Sequence, residues 1–82
     1  MLTIGVDAHK RVHVAVAVDM QGKELGLWRG PNSPAGWRDL LTWTSGQSEQ
    51  CQFGIEGAWG YGRGLAQYLV AQDETVYEIN AR

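Results

Sequence analysis

Valine stands at every second position from Val12 to Val18, with His13, Ala15 and Ala17 between. Strict alternation of β-branched side chains fits a pleated strand, whose side chains point by turns to its two faces, and it fits no helix. The same period recurs along the chain. Leu2, Ile4 and Val6 alternate with Thr3, Gly5 and Asp7, and Leu25 and Leu27 alternate with Glu24, Gly26 and Trp28. Cys51, Phe53 and Ile55 alternate with Gln52, Gly54 and Glu56, and Thr75 to Ile79, with Val76, Tyr77 and Ile79 among them, reads as a last short strand. Asp19-Met20-Gln21-Gly22 has turn chemistry, an Asp to open and a Gly that tolerates positive φ, so Val12 to Arg29 forms an antiparallel hairpin.

Two segments carry the helical period instead. Ser33 as N-cap and Pro34 at the first helical position open a helix in which Trp37, Leu40 and Leu41 share one face, and Gly46 ends it. A polar loop from Ser45 to Gln50 follows. A Gly-rich turn, with Gly57, Gly60, Gly62 and Gly64, precedes a second helix spaced by Tyr61, Leu65, Tyr68 and Leu69. The order β-β-β-α-β-α-β is that of an α/β chain with a hairpin at its start.

Composition bounds the function. The 82 residues hold seven Lys+Arg against nine Asp+Glu, a formal charge of −2, which excludes nucleic-acid binding by bulk charge alone. At 44% apolar and 20% charged residues the chain is neither a disordered tail nor a coiled coil. No apolar run reaches the ~18 residues of a membrane span, and Met1-Leu2-Thr3-Ile4-Gly5 lacks the basic start of a signal peptide. Cys51 is the single cysteine, so no internal disulfide forms and a reducing, cytoplasmic setting is expected.

The most informative feature is an echo. Ile4-Gly5-Val6-Asp7 and Phe53-Gly54-Ile55-Glu56 both read apolar, Gly, apolar, acid at a strand's end. Gly and acid fall on one face, and each Gly leaves room beside the carboxylate. Parallel pairing would set both acids at the C-terminal ends of neighbouring strands, where open α/β sheets place ligands. Strands lie about 4.8 Å apart, and a Mg²⁺ about 2.1 Å from each oxygen needs ligands within roughly 4.2 Å of one another, so the two acids can converge on one cation. The ordinary role of a strand-terminal acid is simple solvation, and spacing alone does not decide between the two.

Ile4-Gly5-Val6-Asp7-Ala8-His9-Lys10 with its valine-rich strand, then Gly54-Ile55-Glu56-Gly57, Gly60-Tyr61-Gly62 and Leu65-Ala66, then Val76-Tyr77-Glu78-Ile79-Asn80, resembles the N-terminal part of the DEDD insertion-sequence transposases. These are of the IS-one-ten type, which includes the Piv DNA invertases. Their N-terminal domain is similar to RuvC and has an RNase H-like fold. The resemblance implies a mixed sheet of order 3-2-1-4-5 in an incomplete domain spanning residues 1–82. Asp7 is implied as the first of the family's four acids and Glu56 as the second, both catalytic and metal-binding. The third and fourth acids and the serine-nucleophile domain have no counterpart among these residues. Asp73 and Glu74 fall in the turn before the last strand, where the family commonly has a Gly.

The implied chemistry is metal-dependent phosphodiester chemistry in DNA transposition, with two Mg²⁺ ions about 3.5–4 Å apart. Two acids are too few for the ions' combined charge of about +4, so the chain by itself is expected neither to cleave DNA nor to hold two metal ions tightly. The implied partners are DNA, a structured guide RNA and further copies of the chain, with no membrane. Lys10, Arg11, Arg29, Arg38 and Arg63 are candidate phosphate contacts, the ordinary role of each being solvated surface charge, with Arg63 favoured by its place beside Glu56; Trp59 is a candidate for base stacking.

Other readings stay beside this one. The chain is alternatively half of an actin-like ATPase or sugar-kinase fold, or a non-enzymatic transposase remnant that packs only with itself or a partner. The Gly57–Gly64 turn lets the second helix approach Glu56, and its spacing fits neither a dinucleotide fingerprint nor a P-loop. His9 and His13 are four apart but not on one helical face, and His13 reads as a strand-pairing residue. Val12 to Val18 are expected in the core with Leu2, Ile4, Val6, Leu40, Leu41, Phe53, Ile55, Leu65 and Leu69.

Overall fold

A computed structural model describes residues 1–47 and 50–79. The elements are β1 (Leu2–Ala8), β2 (Val12–Val18), β3 (Glu24–Pro31), α1 (Pro34–Ser45), β4 (Cys51–Glu56), α2 (Arg63–Ala71) and β5 (Thr75–Ile79). They form one five-stranded sheet in the order β3-β2-β1-β4-β5. β2 runs antiparallel to β1 and β3, whereas β4 runs parallel to β1 and β5. This is the α/β, RNase H-like arrangement and the strand order that the sequence leads one to expect. Asn80 of the last motif, and Ser48 and Glu49 of the polar loop, lie outside the described residues.

The local signals act as their chemistry dictates. In the β2–β3 turn the Asp19 carboxylate accepts from the Gln21 and Lys23 amides at 2.9 Å, and Gly22 turns the chain at φ 85. Ser33 caps α1 by accepting from the Gly36 amide at 3.3 Å, with Pro34 in the first turn and Gly46 at the end. Asp73 takes φ 63 between α2 and β5, a left-handed position that glycine fills without strain.

Both helices cover the same face of the sheet. Ile4, Val6, Ala15, Ala17, Trp28, Phe53 and Ile55 meet Leu40 of α1 and Leu65 and Leu69 of α2 in a single buried cluster. The helices touch where the Trp37 ring lies over Gly64, at which any Cβ would come within 2.5 Å of the indole. Tyr68 packs against the same ring at a centroid distance of 6.1 Å. Leu41 is only half buried at the edge of this cluster.

The parity of β2 corrects the expected core. His13, Ala15 and Ala17 are buried beneath the helices, while Val12, Val14, Val16 and Val18 are half-buried on the other face. Space explains the choice. The Trp28 indole lies along β3 over Gly30 and donates to the Asp39 carboxylate of α1 at 2.9 Å; Trp43 lies over Gly26. Two indoles fill the layer between α1 and this side of the sheet beside Ala15 and Ala17, which pair with Trp28 and with Gly26 under Trp43, so the small side chains fall where the rings lie. The valines therefore face outward with the exposed Leu27, and no described element covers them.

His13 is likewise a core residue and not merely a strand-pairing one. It is fully buried, and neither ring nitrogen has a hydrogen-bond partner. Burial pushes its pKa below the ordinary 6.5. The unfolded chain then binds more protons as pH falls below 6.5, so the stability linked to a neutral His13 is complete above that pH and is lost below it. Urea unfolding at pH 7.5, 6.5 and 5.5 should show stability falling towards pH 5.5, with a shallower fall in His13→Leu. Equal slopes in the two proteins would contradict the assignment.

Candidate functional site

Register decides where the acids go. In the parallel β1–β4 ladder Asp7 stands opposite Glu56, Gly5 opposite Gly54 and Thr3 opposite Gln52. Ile4, Val6, Phe53 and Ile55 are buried under the helices, so alternation sends Asp7 and Glu56 together to the uncovered face. Both acids are exposed, at the C-terminal ends of adjacent strands. The row that holds them continues outward through Val14 to Arg29 on one side and to Ile79 on the other.

The two glycines beside the acids differ. A Cβ at Gly5 would meet nothing within 4 Å, so the approach to Asp7 is open. At Gly54 a Cβ would lie 2.7 Å from Ile79 Cδ1 and 3.0 Å from the Tyr77 ring. β5 therefore folds apolar side chains over the spot beside Glu56 that the sequence leads one to expect empty. Access to the acids is lopsided, widest over Gly5.

His9 reaches back to the site, its Nε2 lying 3.1 Å from Asp7 Oδ2. Both side chains are more than half exposed, so the contact orients Asp7 more than it stabilises the fold. His13 lies buried on the opposite face, and the structure thus separates the two histidines. Two carboxylates side by side on an open face suit a hard divalent cation bound through oxygen. Among the described residues no group of three or more His, Cys, Asp or Glu is placed to hold a metal ion, so the oxygen donors fit in kind but fall short of a complete site.

The turn after Glu56 is compact. Gly57 has φ 77, and its carbonyl accepts from the amides of both Gly60 and Gly62 at 2.9 Å. Those amides are used within the turn and do not form a phosphate cradle. Trp59 and Tyr61 project into solvent from this turn, and Arg63 opens α2 beside it. Lys10 and Arg11 are exposed in the β1–β2 turn at the same end of the sheet. Arg38 is exposed on α1, on the side of the sheet away from the acids. A cavity of about 520 Å³ between α2 and β5 is lined by Trp59, Arg63, Val76, Tyr77 and Glu78 among others, and neither Asp7 nor Glu56 is among its lining residues.

One residue at this end carries more contacts than its sequence context reveals. Asn32, which precedes the Ser33 cap, donates from Nδ2 to the carbonyls of Lys10 and Tyr61 and accepts from Trp37 Nε1. Its partners at Lys10 and Tyr61 lie 22 and 29 positions away, beyond any local pattern.

The family of IS110-type DEDD transposases, described as Transposase, matches residues 4–82. The chain belongs to this family. Among curated proteins no match is found. Among the described residues of this transposase chain no helix is long and apolar enough to cross a membrane.

The tight turn beside Glu56 carries a test in the transposase chain. A Cβ at Gly62 would sit 2.7 Å from Ile55 Cγ2, 3.0 Å from Gly57 O and 3.2 Å from Ala8 Cβ. At Gly60 the nearest atom would be Gly57 O at 3.7 Å. Gly62→Ala should therefore cost about 1–3 kcal/mol in urea unfolding and Gly60→Ala less than about 1 kcal/mol. Equal costs would mean that the turn is looser than described.

Proposed function

We propose that this chain supplies Asp7 and Glu56 as the first two acids of a metal-dependent site that cuts and joins DNA strands during transposition. Residues 1–82 then form the first part of a RuvC-like domain, and the remaining acids come from elsewhere in the assembled enzyme. The observation that supports this most strongly is the Asp7–Glu56 register on an open sheet face. The family match supports transposition as the process and DNA as the partner.

In this reading Asp7 and Glu56 hold Mg²⁺ through their carboxylate oxygens, and bound Mg²⁺ would polarise the phosphate and lower the pKa of an attacking hydroxyl. The chain's own contribution is placement. Adjacent parallel strands fix the two carboxylates side by side, His9 steadies Asp7, and the open space over Gly5 admits the DNA backbone. Lys10, Arg11 and Arg63 surround the same end of the sheet and would neutralise phosphates; Trp59, 80% exposed, offers a face for base stacking. A structured guide RNA and assembly into a homo-oligomer belong to the same proposal, as does action in the cytoplasm. With two acids the chain alone does not cleave DNA.

Mn²⁺ titration followed by NMR tests the site. Paramagnetic broadening should strike the Asp7 and Glu56 amides together, and Asp7→Asn or Glu56→Gln should weaken it by at least about tenfold, since losing a direct ligand costs no less than losing a ligand's supporting partner. DNA incubated with the chain and Mg²⁺ should stay intact. Broadening centred elsewhere, or cleavage abolished by Asp7→Ala, would overturn the site or the claim of inactivity respectively.

A further inference from the structure

Three turns meet at the acid end of the sheet, and one side chain joins them. The β1–β2 turn follows Asp7, the Gly57–Gly62 turn follows Glu56, and the β3–α1 connection holds Asn32. Asn32 Nδ2 donates to Lys10 O at 3.0 Å and to Tyr61 O at 3.2 Å, while Oδ1 accepts from Trp37 Nε1 at 3.0 Å. Its backbone amide donates to Arg11 O at 2.9 Å. The partners fix the orientation of the amide group: two carbonyls require the NH₂, and an indole N–H requires the oxygen. No other residue type has two donors and an acceptor on so short a stem.

The β1–β4 ladder sets the register of the acids but ends with them, at Asp7 and Glu56. Beyond that point no ladder relates the turn carrying His9, Lys10 and Arg11 to the turn carrying Trp59 and Tyr61. From these contacts we infer that Asn32 is a positioning residue that locks the two acid-flanking turns to each other and to α1. The inference rests on the reading of Asp7 and Glu56 as a metal-binding pair, and it adds the device that keeps His9 over Asp7 and the basic and aromatic side chains around the site. Trp37 holds the amide in place from below, since its ring is itself fixed by Gly64 and Tyr68.

Hydrogen exchange by NMR on this chain tests the lock. The His9, Gly60 and Gly62 amides, bonded to Val12 O and Gly57 O, report on the two turns; the Gly22 and Lys23 amides, bonded to Asp19, report on the far end of the sheet. Asn32→Ala should speed exchange at the first three by about fivefold to tenfold, the effect of losing one hydrogen bond, and leave the last two unchanged. Asn32→Asp, which keeps the shape and the acceptor for Trp37 but has no donor, gives the same pattern and serves should Asn32→Ala fail to fold. Unchanged exchange in the turns, or an equal increase at both ends of the sheet, would overturn the inference. Mn²⁺ broadening at Asp7 and Glu56 should require more metal in both variants, and wild-type affinity in them would overturn the link to the site. Absence of broadening in the wild-type chain would sink the metal reading instead, and the exchange pattern would still decide the role of Asn32.

Discussion

The parallel pairing of β1 with β4 sets Asp7 opposite Glu56, and a slip of one residue would send one carboxylate into the apolar layer beneath the helices. That slip is forbidden by the side chains between. Ile4 and Val6 on β1 and Phe53 and Ile55 on β4 are buried against Leu40, Leu65 and Leu69, each burial contributing about 1.5–3 kcal/mol. The hydrophobic layer on one face thus fixes the chemistry on the other. Ionised acids could not stand at those positions if the parity were reversed, because burying an unpaired charge costs more than the layer gains.

The two faces of the sheet are built differently. On the helix side the indoles of Trp28, Trp37 and Trp43 fill the space over Gly30, Gly64 and Gly26, so small residues cluster wherever a ring lies. Valines populate the opposite face of β2, together with the exposed Leu25 and Leu27 of β3. That apolar surface lies beside the acids and has no covering element among the described residues.

Much of this was legible in the sequence, for identifiable reasons. Period-two and helical spacing gave the element order, and the Gly–apolar–acid echo placed Asp7 and Glu56 on one face once the strands ran parallel. The parity of β2 was not legible, because alternation defines two faces without saying which is covered, and valine is the more obvious core residue. Choosing alanine and histidine for the covered side depends on Trp28 and Trp43, which arrive from β3 and α1. The closure over Gly54 by Tyr77 and Ile79, and the ties from Asn32 to Lys10 and Tyr61, come from partners more than twenty positions away. Local pattern carries no trace of contacts at that range.

Anomalous scattering from a crystal of the chain grown with Mn²⁺ addresses the central geometry most directly. Expected is a peak shared by the carboxylates of Asp7 and Glu56 on the face of the sheet opposite α1 and α2. Carboxylates facing opposite sides of the sheet, or a metal held by other residues with these two unliganded, would contradict the pairing on which the proposed site depends.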